Sequence, residues 1–162
     1  MNLNNKIAII SIKIVMILKI MLHNLKTIPQ INKTFIKIIN NNKIKQFKIK
    51  FKFDELCNMV NDDIQINLYR IVQEQMKNIV KYAGAKKIEI AVTRSNGSIS
   101  LRVFDNGKGF DMKTIKNGIG LSNIKKRAES LSGKFLLNSA SGKGCEIIVE
   151  IPVDEISMSK TG

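Results

Sequence analysis

Tryptophan is missing from these 162 residues, histidine occurs once, and cysteine, proline and tyrosine occur twice each. Each scarcity excludes something. One histidine, His23, and two distant cysteines, Cys57 and Cys145, with no Cys-x-x-Cys pair, make no zinc set. Two lone cysteines without a secretory signal and cleavage site suit reduced, buried thiols in a cytoplasmic protein, not a disulfide framework. Aromatics make up only 6% of the chain and form no stripe with basic residues on which bases could stack. Nucleic acid is therefore not an expected partner, although the formal charge is +14. Long apolar runs are lacking too. Ile7 to Leu22 is mostly apolar, but Lys13 and Lys19 interrupt it, and it falls short of the roughly 20 residues that cross a bilayer. Membrane contact is expected only through this N-terminal segment, as a peripheral anchor or docking helix. The other reading is a leader with no fixed role.

Acidic residues are absent from the first 50 positions, which hold ten Lys, whereas the other 17 Lys and Arg are set against 13 acids. The basicity thus belongs to an Ile/Lys/Asn-rich leader, and the rest reads as an ordinary surface. The composition changes near Phe51. We expect a leader over 1–42, a domain over 43–155 and a tail over 156–162.

Period two from Ile44, with Phe47, Ile49, Phe51 and Phe53 on one face and Lys48, Lys50 and Lys52 on the other, predicts a half-buried strand. Ile64 to about Ala83 has a 3.6-residue period, with Leu68, Val72, Met76, Ile79 and Ala83 on one stripe, and predicts an amphipathic helix. Ile88, Ile90 and Val92, then Ser95-Asn96-Gly97, then Ile99, Leu101 and Val103 predict a β-hairpin. A glycine-punctuated loop follows over 106–120. A second helix carries Leu121, Ile124, Ala128 and Leu131 and is stopped by Gly133. Phe135 to Leu137 and Cys145 to Ile151 predict two further strands around a Ser141–Gly144 turn. The order predicts an α+β, two-layer sandwich: a mixed, mainly antiparallel sheet with helices on one face.

Three segments carry chemistry. At about 100° per residue, Asn67, Arg70, Glu74, Asn78 and Lys81 share one face of the first helix, opposite its apolar stripe. A carboxylate, an amide oxygen and an ammonium in one row could hold a hard cation and its phosphates, although any solvated helix face can carry such a row. In Asp105-Asn106-Gly107-Lys108-Gly109-Phe110, continued alternation turns Asp105 inward at the mouth of a strand, where a carboxylate needs a partner. A purine amino group is one such donor, and Gly107 and Gly109 would let the backbone bend beneath a ring; a plain surface turn has the same composition. Gly118-Ile119-Gly120-Leu121 leads into a helix whose free N–H groups and dipole suit phosphate. No Walker phosphate loop, full dinucleotide fingerprint or eukaryotic-type protein kinase motif is present.

The run Leu68 to Ala83, the Asp105 to Phe110 box and the Gly118 to Ala128 segment, in this order and spacing, resemble the ATP-binding domain of bacterial sensor histidine kinases. The likeness covers about 45–153 and is to the branch that includes the nitrate and oxygen sensors; the fold is shared with gyrase-type ATPases. The resemblance implies that Asn78 ligates Mg²⁺, that Glu74 is the polar or basic group beside the reacting phosphate, and that Lys81 touches phosphate. It implies that Asp105 binds the adenine amino group, that Gly107 and Gly109 shape the base pocket, that Gly118, Gly120 and Leu121 hold phosphates, and that 110–117 is a lid. Cys145 stands where the family usually has Thr.

The resemblance also implies a response regulator as partner and a two-helix hairpin with a phosphate-accepting histidine. His23 is the only histidine. About 20 residues separate it from the first strand, too few for two helices, and Leu22-His23-Asn24-Leu25 does not match the usual acidic pattern. The hairpin would then lie in a lost part of the gene product or in another chain. The alternatives are a non-enzymatic ATP- or partner-binding module and an anti-sigma-factor serine kinase. A cytoplasmic location is expected, with a parent kinase that could be membrane-associated.

Overall fold

The computed structural model of the protein describes residues 48–54, 57, 60–95, 97–113 and 118–153. His23 and the whole 1–42 leader, Phe47, positions 114–117 of the expected lid and the 156–162 tail lie outside the described residues.

Strand β1 (Lys48–Phe53) pairs in parallel with β2 (Lys87–Ser95). β2 pairs antiparallel with β3 (Ser98–Asp105), β3 with β5 (Cys145–Pro152), and β5 with β4 (Lys134–Ser139). The order β1-β2-β3-β5-β4 is the mixed, mainly antiparallel sheet that the sequence predicts. Its parallel pair follows from the helix between β1 and β2, because a parallel return needs a crossover.

That helix, α1 (Asp62–Asn78), starts where the Asn61 side chain accepts a hydrogen bond from the Ile64 N–H at 3.0 Å. Asp62 and Asp63 in its first turn complement the helix dipole. The sequence reading carried this helix unbroken to about Ala83. Instead α1 widens into a π-helical turn over Ile79–Ala83 and stops at Gly84, which takes a left-handed φ of 61°. Such widened turns are frequent at functional sites.

The second helix, α2 (Ile119–Glu129), packs beside α1. Gly133 was expected to stop it by its conformation, but the left-handed residue is Ser132 (φ 55°). Gly133 is required for space: a Cβ there would lie 2.7 Å from the Glu150 carbonyl oxygen and 2.9 Å from that of Ala128.

The apolar stripe of α1 faces the sheet as predicted, with Leu68, Val72, Met76 and Ile79 buried, and α2 adds Ile124 and Ala128. The sheet contributes alternate residues: Ile88, Ile90 and Val92, Ile99, Leu101 and Val103, and Ile147, Val149 and Ile151. Fully burying a side chain of this size contributes about 1.5–3 kcal/mol. The other sheet face is polar at its centre. There Arg102 Nε donates to Glu146 Oε1 at 2.6 Å, its Nη1 donates to Glu89 Oε2 at 3.2 Å, and the guanidinium lies over the Phe104 ring. Both described helices therefore cover one face.

Candidate nucleotide-binding site

A cavity of about 580 Å³ opens between the C-terminal half of α1, the ends of β3 and β5, and the start of α2. Its size is that of a small-ligand site. Asn78 and Asp105 both line it, although one comes from the helical layer and the other from the sheet. Glu74, Lys81, Gly109, Gly118, Gly120 and Leu121 line it as well.

The helical row of the sequence reading divides along its length. Asn67 is covered by α2, where Arg127 Nη1 donates to its Oδ1 at 3.2 Å, and Arg70 is exposed. Only the later part, Glu74, Asn78 and Lys81, reaches the cavity. Lys77 Nζ donates to Glu74 Oε2 at 3.1 Å, while Glu74 Oε1 and Asn78 Oδ1 converge on Gly120. A Cβ on Gly120 would lie 2.9 Å from the first oxygen and 3.0 Å from the second. A side chain there would push both oxygens aside, because α2 starts against the polar row.

Asp105 is 1% exposed. Its Oδ1 accepts the Gly107 N–H at 2.8 Å. Burial raises its pKa above the usual carboxylate value, and that backbone hydrogen bond opposes the rise only in part. Cys145 is directly opposite on β5, with its thiol pushed up to about 11 by burial first and by the Asp105 charge second.

The 106–109 loop is tied down on both sides. Asn106 Oδ1 accepts from the Lys86 and Lys87 N–H groups at 2.9 and 2.7 Å, Lys108 N–H donates to the Ala83 carbonyl at 2.8 Å, and Phe110 N–H donates to Ser139 Oγ at 3.0 Å. The two glycines of the loop differ in where they stand. A Cβ on Gly107 would collide with the Ala83 carbonyl, and Gly107 does not line the cavity. Gly109 lines it with a φ of 57°, and its missing Cβ leaves room for the Ala140 carbonyl.

At the start of α2, Gly118 has extended backbone and no side chain caps the helix, so the first N–H groups remain available beside the cavity. Among the described residues no group of three or more His, Cys, Asp or Glu could hold a metal by itself. A cation there would need the Asn78 and Glu74 oxygens together with ligand oxygens, the incomplete protein set that Mg²⁺ commonly uses with phosphates.

Sequence reasoning missed Gln75, Lys77, Tyr82 and Ile119, which also line the cavity. Gln75 sits at the border between the polar row and the apolar stripe, and Ile119 is 80% exposed despite its side chain. Neither pattern flags such positions.

A cavity of this kind, on the helix-covered face of a mixed sheet and bordered by an uncapped helix start and a buried acid, is that of a nucleotide-binding α+β domain. A model of the family described as histidine kinase-, DNA gyrase B-, and HSP90-like ATPase matches residues 63–155, and the chain belongs to that family. It is 33% identical over 110 residues to the sensor histidine kinase LiaS of Bacillus subtilis (strain 168), covering 67% of this chain and 31% of that protein. It is 32% identical over 93 residues to the signal transduction histidine-protein kinase/phosphatase DegS of Brevibacillus brevis, covering 57% of this chain and 24% of that one. The chain thus spans about a quarter to a third of the length of these relatives. The histidine kinase domain from the Erythrobacter litoralis EL346 blue-light activated histidine kinase has a TM-score of 0.59 at 13% identity, over 80% of this chain and 65% of that one. The Acinetobacter baumannii histidine kinase AdeS has a TM-score of 0.55 at 15% identity, over 77% of this chain and 66% of that one. At such identities the structural likeness is one of fold. The domain is of the histidine-kinase ATP-binding type, as the three sequence boxes imply.

Proposed function

We propose that the chain is the Mg-ATP-binding catalytic domain of a two-component sensor histidine kinase, spanning about 43–155, which passes the γ-phosphoryl group of ATP to a histidine. The observation that carries this is the shared cavity of Asp105 and Asn78, with Gly120 opening it to Glu74. In this reading Asp105 accepts from the adenine amino group through the oxygen that Gly107 does not occupy. Gly109 borders the base, and Gly107 acts indirectly by seating the loop on Ala83.

Asn78 offers Oδ1 as a ligand for Mg²⁺, which when bound would neutralise charge on the phosphates. Lys81, the Gly118 and Gly120 backbone and Leu121 at the start of α2 hold the phosphates. Glu74 keeps one oxygen on Lys77 and turns the other to the cavity, so it is oriented to polarise or accept a proton from the attacking group. Positioning and charge neutralisation supply most of the rate enhancement in such transfers.

The phosphoacceptor hairpin and a response regulator are the partners of this reading. The site is assigned to the cytoplasm, and the branch to that of the nitrate and oxygen sensors. Among the described residues no helix is long and apolar enough to cross a membrane.

Titration with a fluorescent ATP analogue, with Asn78→Ala and Asp105→Asn as comparisons, tests the assignment. Both substitutions should weaken binding by about tenfold or more, the worth of a hydrogen bond to a charged group; equal binding by all three would refute it. A second reading is a module that binds ATP without transferring phosphate. Incubation with γ-labelled ATP and a separate two-helix hairpin polypeptide carrying a phosphoacceptor histidine, followed by an acid-lability test, separates the two: an acid-labile label on the hairpin excludes the second, and no label on it counts against the first.

A further inference from the structure

Gln75 is 2% exposed, and it is the buried amide nearest the proposed metal end of the cavity. A buried amide is costly unless its groups are paired, so the direction of each hydrogen bond fixes the side chain. Gln75 Oε1 accepts from Asn78 Nδ2 at 3.3 Å. On its other side Gln75 Nε2 donates to Cys145 Sγ at 3.8 Å. Cys145 is itself opposite Asp105 on the paired strands. A polar chain therefore runs from Asn78 through Gln75 to Cys145, which sits next to the buried acid in the sheet register.

An amide has one oxygen and one nitrogen, so whichever faces Gln75 decides which faces the cavity. With Nδ2 bonded to Gln75, Asn78 Oδ1 is the amide atom nearer Gly120, 3.0 Å from where a Cβ would stand against 3.4 Å for Nδ2, and Glu74 Oε1 is 2.9 Å from the same point. Reversing Asn78 alone would set its oxygen against the Gln75 oxygen and present an N–H pair to a cation. On the sheet side Gln75 Nε2 is taken up by the thiol, which leaves Oε1 for Asn78.

We propose that Gln75 is a positioning residue that fixes the Asn78 amide with its oxygen toward the metal, its own amide nitrogen being taken up by Cys145. This rests on the Mg-ATP reading of the cavity. It separates Gln75 from a residue that merely fills space, because losing the hydrogen bond should cost metal-assisted binding more than binding of the nucleotide without metal.

The full chain is titrated with a fluorescent ATP analogue in Mg²⁺ and again in EDTA, and the ratio of the two affinities is read. In Gln75→Met, which keeps the length of the side chain but loses the amide, the ratio should fall by about threefold to tenfold, the range of one neutral hydrogen bond. Gln75→Glu keeps an acceptor for Asn78 Nδ2 and should hold the ratio at or above that of the wild type. Cys145→Ala should lower it by about twofold to threefold, and it decides the matter alone if Gln75→Met does not fold. An unchanged ratio in the variants, or a fall in Gln75→Glu as large as that in Gln75→Met, overturns the proposal. A wild-type chain that binds the analogue in neither condition overturns the nucleotide reading itself, whereas normal wild-type binding with unmoved ratios overturns the role of Gln75 alone.

Discussion

Asp105 on β3 and Cys145 on β5 are register partners, 1% and 7% exposed, and both look into the cavity that Asn78 borders from the helix above. The carboxylate has one backbone hydrogen bond, from Gly107, and the thiol beside it is a poor donor and acceptor. The fold thus keeps a charge buried where a ligand can satisfy it.

That arrangement has a stability consequence. Because burial raises the Asp105 pKa in the fold, its charged form opposes folding. The cost is full above the folded pKa and disappears as pH falls below the unfolded value of about 3.8. Asp105→Asn should therefore make the ligand-free chain more stable than wild type near neutral pH, with the gap closing as the solution is acidified. Urea denaturation at several pH values checks this; a variant less stable at pH 7 than wild type would contradict it.

The cavity thiol gives a second handle. The thiols of Cys57 and Cys145 are each pushed up to about 11, mainly by burial, and thiolate is the reactive form. Alkylation of the native chain should be slow at pH 8 and accelerate toward about 11. The ATP analogue should slow labelling of Cys145 and leave Cys57 unaffected, which mass spectrometry of digested, labelled protein would resolve.

Gly120 and Gly118 should respond differently to alanine. A Cβ at Gly120 meets the Glu74 and Asn78 oxygens, whereas one at Gly118 meets nothing within 4 Å. Gly120→Ala should lower affinity for the ATP analogue in Mg²⁺ by about tenfold, the loss of roughly one charge-assisted hydrogen bond, while its thermal midpoint stays near that of wild type. Gly118→Ala should leave the thermal midpoint unchanged; a drop comparable to that of a core substitution would mean that the start of α2 is packed differently.

Ile124 is fully buried where α2 meets the sheet. Ile124→Ala should cost about 2–5 kcal/mol in chemical denaturation, the usual range for a large-to-small change in a packed core. Since α2 also starts at the cavity, the same variant should weaken nucleotide binding even when folded.

Much of this was legible in one dimension because periodicity reports burial directly. Leu68, Val72, Met76 and Ile79 repeat at the helical spacing and are buried, and Ile99, Leu101, Val103 and Asp105 alternate and all point inward. The inward turn of Asp105 follows from the pleat alone. The helix end was not legible: nothing in Ile79 to Ala83 separates an α-helical turn from a π-helical one, since both bury similar residues.

What the sequence determined by itself was which residues turn inward, where the chain can bend, and that three polar boxes lie at a spacing like that of a histidine-kinase ATP domain. Tertiary structure decided which of those residues meet. Asn67 and Asn78 share one helical face, yet α2 covers the first and leaves the second to the cavity. Gln75 gained its place only when β5 brought Cys145 within reach, 70 residues further along the chain. Local pattern encodes exposure to a face, but a hydrogen bond between distant residues depends on how the layers stack, which no periodicity records.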